Sequence, residues 1–200
     1  RDSMQAARLL QAGAVGTPWL VKLDWLMGSR ADPQRGWNWY AQADQGGGVI
    51  GALGTHAVDM LAWLIGPLGA VQALNGVSIK QRPHPDGGLA AVDAPDVSLL
   101  QTVAHWQGRQ DLPVPAQVSL SSVSRNGRGF CLDVVGSSGS LMLSSTNQKD
   151  YVHGFELQHA PLGEPFRAVE ADADLAYPQT WSDGRIAPVA VSYTHLTLPT

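Results

Sequence analysis

A single cysteine, Cys131, in 200 residues excludes an intramolecular disulfide framework. It fits a reducing compartment, so a cytoplasmic location is expected. Charge is sparse as well: 13 Lys and Arg against 17 Asp and Glu leave a net charge of −4. The basic residues are scattered and make no footprint for nucleic acid. The longest apolar run, 49–66, is broken by His56, Asp59, Gly51, Gly54 and Gly66, so no membrane span is expected. His84, His105, His153 and His159 have no metal-ligand spacing and Cys131 stands alone, so no metal site is expected either. No repeat of 20–50 residues is present.

What remains is length and apolar content sufficient for a core, with 44% hydrophobic residues. The stretch "DSMQAARLLQAGAVG" reads as a helix that Asp2 or Ser3 can cap, with Met4, Ala7 and Leu10 in an apolar stripe and Gly13 as its end. "TPWLVKLDWLM" alternates as a strand. A loop from Gly28 to Gln45 carries "RGWNWY", too aromatic for a plain linker. Beyond Gly66-Pro67 the pattern changes to strands: "AVQALNGVSIKQ", "VSLLQTVAHW", "AQVSLSSVSR", "GFCLDVVG", "SLMLSS", "YVHGFELQHA" and "FRAVEA". "CLDVVGSSGSLMLSS" has the form of a hairpin, and "RPHPDGGLAAVDAPD" reads as a second irregular segment. Helices first and strands afterwards imply an α+β fold. The expected architecture is a mainly antiparallel open sheet over 67–170, with helices 3–12 and 48–65 packed on one face.

The end of the chain differs from all of this. "VSYTHLTLPT", residues 191–200, reads as one frame of a transposon-derived sequencing adaptor. That frame requires the preceding codon to end in CT, which only Ala, Ser, Pro and Thr permit, and residue 190 is Ala. The native part is then expected to be 1–190, a domain truncated at both ends.

The segment that asks for chemistry is "QGGGVIGALGTHAVDMLAWLIG", 45–66. Gly46, Gly47 and Gly48 are costly to order, and the apolar helix after them carries Thr55, His56 and Asp59 as its polar set. His56 and Asp59 are three apart and share a helix face. From the pattern alone, His56 is either a core histidine bonded to a carbonyl or part of a site. The glycines either pack tightly or leave a side-chain-free approach for a ligand. Trp37, Asn38 and Trp39, just ahead of them, either form a surface patch or line a polyol pocket by stacking and hydrogen bonding.

Taken in order, "LLQAGAVGTPWLVKLDW", "GGGVIGALGTHAVDMLAWLIG" and "LDVVGSSGSLML" resemble the C-terminal domain of the Gfo/Idh/MocA oxidoreductases, over roughly residues 3–190. The resemblance implies a preceding dinucleotide-binding domain with a Gly-x-Gly-x-x-Gly fingerprint and a Glu-Lys-Pro lysine. It also implies hydride transfer between NAD or NADP and a sugar, cyclitol or related polyol. The cofactor would be held by the full-length protein and not by this part alone, which would be inactive by itself. By the same resemblance His56 is the catalytic histidine and Asp59 its support, expected to be the more buried of the two. Trp37, Asn38, Trp39 and Thr55 would bind substrate, and Gly46, Gly47 and Gly48 would form the cleft backbone. The family's first acidic position is Ala52 here, which keeps open a non-catalytic sensing or dimerisation relative. A homo-oligomer through the sheet is expected.

Overall fold

The computed structural model describes residues 1–148 and 154–175. Helix α1 (Asp2–Gln11) buries Ala6 and Leu10, four residues apart on one face. Neither Asp2 nor Ser3 caps it: the N-cap is Arg1, without a side-chain bond, and Asp2 instead sits in the first turn. A carboxylate there favours the helix dipole. Gly13, at φ +80°, ends the helix, and the Ala14 N–H bonds back to the Leu9 carbonyl.

Strand β1 (Pro18–Leu26) follows. Its residues Val21, Leu23 and Trp25 are buried against the helices, while Leu20 and Lys22 point to the opposite face. A single 3₁₀ turn covers Trp39–Ala41, a π-helical turn covers Ile50–Gly54, and α2 (Thr55–Leu64) continues from it. Seven strands then complete the main sheet with β1: β2 (Gln72–Gly76), β5 (Val97–His105), β6 (Pro113–Ser121), β7 (Gly129–Gly136), β8 (Gly139–Ser145), β9 (Glu156–Pro161) and β10 (Arg167–Ala168). Between β2 and β5 lie the short β3 (Gln81–Pro83) and β4 (Leu89–Ala91).

The eight-stranded sheet is open and runs β10-β9-β8-β7-β1-β6-β5-β2. Every neighbouring pair is antiparallel except β1 and β6, which run parallel with Leu23 opposite Val118. Parallel neighbours need a crossover, and α2 lies on that connection. α1 packs beside β8 and β9 and against α2. Both helices share one core with the inward residues of the sheet, among them Leu61, Leu100, Val118, Leu120, Leu132, Leu141 and Leu143. The other face carries Leu20, Lys22, Leu99, Gln101 and Val103, none of them buried.

The N-terminal end of β1 is closed tightly. A Cβ on Gly136 would collide with the Val15 carbonyl oxygen, and one on Gly139 would stand 2.6 Å from that of Ala160. The turn before β1 thus packs directly onto the β7–β8 hairpin. Thr17 and Ser137 exchange hydrogen bonds there, and Ser138 donates to Val15.

Two expectations about 67–170 need correction. The sheet is not continuous across it, because β3 and β4 pair with each other as a separate hairpin. Asp96 explains the departure: its buried carboxylate accepts the N–H groups of Ser78 and Ile79 and turns the chain away after β2. The segment read as irregular, 82–96, therefore holds all of that hairpin except Gln81, closed through His84 and Gly88. Residues 151–153 of the strand read as "YVHGFELQHA", and all of 191–200, lie outside the described residues.

Candidate functional site

His56 lies in the first turn of α2, immediately after the π turn. Such turns recur at functional sites because they re-aim the side chains around them. The cause here is local: a Cβ on Gly51 would stand closer to the Gly46 carbonyl oxygen than any side chain tolerates. The loop thus presses on the helix at Gly51, which only glycine permits. Thr55 donates its hydroxyl to the Gly51 carbonyl at 3.1 Å.

α2 has two distinct sides. Ala57, Leu61 and Leu64 are buried at spacings of four and three. Thr55, Asp59 and Trp63 are exposed, and His56 is half-buried at the boundary with its ring centroid 6.4 Å from that of Trp25. Asp59, expected to be more buried than His56, is the more exposed residue. It falls on the side of the wheel away from Leu61, where no sheet residue can cover it. His56 leans instead toward the sheet at the C-terminal end of β1. Ala52, inside the π turn, is half-buried.

The remaining candidate residues separate by what they touch. The Trp37 indole N–H donates to the Ala91 carbonyl at 2.8 Å, and its ring lies 5.1 Å from His84, so it fastens the loop to the β3–β4 hairpin. Asn38 accepts the Tyr40 N–H and caps the 3₁₀ turn. Trp39 remains 52% exposed. Of Gly46, Gly47 and Gly48, only Gly46 has open space at its Cβ position. Gly47 would collide with the carbonyls of Trp39, Tyr40 and Gln42, and Gly48 with that of Pro95. The N–H groups of Gly46, Gly47 and Val49 are taken by the carbonyls of Ala43, Gln42 and Pro95. This run is glycine chiefly because the loop folds on its own backbone.

Sequence reasoning did not single out Arg30 and Tyr40. The Arg30 guanidinium lies 4.2 Å from the centroid of the Tyr40 ring, and the Arg30 N–H bonds the Ser122 carbonyl just past β6. Burial, together with a hydrogen bond from Ser122 that opposes it, leaves the Tyr40 hydroxyl pushed above its ordinary value. Burial first, then the charges of Arg35 and Arg82, pushes the Arg30 guanidinium down. No periodicity marks Arg30; Tyr40 closes the aromatic run but could not be told from Trp37 by pattern. Two pairs thus lie near the C-terminal ends of β1 and β6, His56 with Trp25 and Arg30 with Tyr40. No cluster of three or more His, Cys, Asp or Glu suited to a metal exists among the described residues, and no described helix is long and apolar enough to cross a membrane.

Residues 3–142 match the family model described as the GFO/IDH/MocA C-terminal domain. The chain belongs to the Gfo/Idh/MocA family. It is 45% identical over 186 residues to the uncharacterized oxidoreductase sll0816 of Synechocystis, covering 92% of this chain and 48% of that protein. Levoglucosan dehydrogenase in complex with NADH and levoglucosan superimposes with a TM-score of 0.70 at 22% identity, over 84% of this chain and 44% of that one. The super-repressor mutant Gal80(S2) of Gal80p from Saccharomyces cerevisiae superimposes with a TM-score of 0.67 at 14% identity, over 99% of this chain and 52% of the other. This member of the family therefore spans about half the length of the relatives it matches. The last two likenesses establish the fold, an open mixed sheet with its helices on one side.

Proposed function

We propose that this chain, over 1–190, is the substrate-side domain of an NAD(P)-dependent oxidoreductase acting on a sugar, cyclitol or related polyol. The observation that carries the reading is His56. It stands half-buried against Trp25 at the head of a helix whose outer side is exposed, in a family whose relatives are named oxidoreductases. Levoglucosan dehydrogenase, a fold neighbour, has been seen with NADH and a sugar.

Oxidising an alcohol carbon requires a group that takes the hydroxyl proton as the hydride leaves. Histidine, as a residue type, changes protonation near physiological pH and suits that work. His56 would take the proton while Trp25 limits the positions its ring can adopt. Asp59, exposed one turn along, would orient substrate or water at the cleft, since it is not buried behind the histidine. Trp39 offers an exposed ring for the apolar face of a sugar.

The nicotinamide supplies the hydride acceptor when bound. The residues present fit only the ring end of such a cofactor: Gly46 leaves space beside the open side of α2. The N–H groups of Gly46 and Gly47, which could help cradle a pyrophosphate, are already bonded to the carbonyls of Ala43 and Gln42. The phosphates therefore belong to a separate domain, and this chain alone should not turn over. Leu20, Leu99 and Val103, at least 37% exposed on the open sheet face, are the residues a homo-oligomer would bury.

A second reading has its own support. Ala52 provides no carboxylate to tune His56 or bind substrate, and Gal80p, solved as a super-repressor mutant, shares the fold. On that reading the rim senses a sugar without oxidising it. The test is to join residues 1–190 to the dinucleotide-binding half of the Synechocystis relative and assay NADH formation with levoglucosan and a panel of sugars and cyclitols. Turnover by the fusion and none by the chain alone is expected. Sugar binding without turnover of any of them would favour the second reading.

A further inference from the structure

The loop after β1 gathers arginines, and all but one bond to backbone. Arg82, 6% exposed, donates to the carbonyls of Arg30 at 2.6 Å and Asp32 at 2.7 Å. Arg125 donates to the Ala31 carbonyl at 2.7 Å, and Arg35 to that of Ser29 at 2.9 Å. Together they hold residues 29–35 in one conformation. Arg30 is different. Its guanidinium is half-buried over Tyr40, and no carbonyl or carboxylate accepts from it among the described residues. The neighbouring acids are engaged elsewhere: Asp96 on Ser78 and Ile79, Asp93 on Ala43, Asp32 on Gln34.

A guanidinium presents five donors in a planar fork, and partly removing them from water without an acceptor is unfavourable. Here the fork is also held still. The Arg30 N–H is fixed to Ser122, and Tyr40 lies beneath the charged group. Arg35 and Arg82 add charge of the same sign, so the spot favours an incoming anion and opposes an incoming cation. Arg30 follows the C-terminal end of β1 by four residues, and His56 meets Trp25 at that same strand end.

We propose that Arg30 receives an anionic group of the substrate, a carboxylate or phosphate carried by a sugar, at the same rim as His56. The proposal rests on the reading of that rim as a substrate site. A bidentate pair would fix the sugar's orientation, and a neutral sugar would leave the fork unmatched. The preference for an acidic over a neutral sugar should be about tenfold or more, as for hydrogen bonds to charged groups.

The test is calorimetric titration of the chain with D-glucuronate, D-glucose 6-phosphate, D-glucose and NAD⁺, for the native sequence, Arg30→Lys and Arg30→Met. The native chain should bind one anionic sugar at least about tenfold more tightly than glucose. Arg30→Met should abolish that preference, and Arg30→Lys should keep part of it, since lysine retains charge but not the fork. Circular dichroism of each variant checks the fold, and Arg30→Lys carries the comparison if Arg30→Met does not fold. Glucose binding with no anionic preference, a preference that survives Arg30→Met, or an effect of Arg30→Met confined to NAD⁺ would overturn this inference alone. Binding of no sugar would overturn it together with the substrate-site reading.

Discussion

The two ends of β1 are built on opposite principles. At its N-terminal end backbone meets backbone: the turn before Pro18 lies on Gly136 and Gly139 with no room for a Cβ, and Thr17 and Ser137 exchange hydrogen bonds. At its C-terminal end side chains do the work, with Trp25 against His56, Arg30 over Tyr40, and Arg82 and Arg125 holding loop carbonyls. The first end is fixed by backbone packing against the β7–β8 hairpin. The second keeps charge and hydroxyl groups half-exposed on a rigid strand end. A single strand thus anchors the sheet and presents the site, which separates what substitutions should do to stability from what they should do to function.

The largest stability effect belongs to the core that both ends share. Leu23 is fully buried at the centre of β1, and Leu23→Ala should cost about 2–5 kcal/mol in chemical denaturation, from lost burial and the cavity left. A loss under about 1 kcal/mol would mean the helices do not close over the sheet. Gly136→Ala should come next, about 3 kcal/mol, because its Cβ would meet a backbone oxygen that cannot swing aside. A neutral result would erase the contrast between the two ends.

At the open end, Asp96→Ala should cost about 2 kcal/mol, since the N–H groups of Ser78 and Ile79 lose their acceptor in a buried place. Hydrogen exchange should quicken at those two amides and leave Leu132 and Leu143 protected. Exchange that quickens across the whole sheet would show the hairpin is not a separate unit. A smaller effect follows from Tyr40, whose hydroxyl burial holds above its ordinary value of 10.0. The unfolded chain ionises first, so stability from this group is complete below pH ~10 and declines as pH rises through the folded value. Denaturation midpoints should fall more steeply above pH ~10 for the native sequence than for Tyr40→Phe. Identical slopes would place Tyr40 in solvent.

Much of this architecture was legible before any coordinates. The alternation in 18–26, the glycine pair of 136–139 and the apolar spacing of Ala57, Leu61 and Leu64 each act over a few residues, and each forms the expected element. What escaped prediction depends on particular contacts that no periodicity shows. The β3–β4 hairpin exists because Asp96, about 20 residues from Ser78, captures that segment's amides. The π turn exists because the loop carbonyl of Gly46 presses on Gly51. The candidate site was half legible: "GTHAVD" points to His56 through its family resemblance, but Trp37 and Asn38 serve the loop's own structure, and Arg30 carries no pattern that could reveal it.

The most direct test of the site is His56→Ala, made in the fusion of residues 1–190 with a dinucleotide-binding domain and assayed with the best sugar of the panel. Its place outside the buried stripe of Ala57, Leu61 and Leu64 predicts a thermal midpoint within about 2 °C of the native sequence, as for changes within about 0.5 kcal/mol. Loss of the proton acceptor predicts that kcat falls by ~100-fold or more. A variant that keeps its kcat, or one that loses activity only because it unfolds, would contradict the claim and make His56 part of the fold's packing.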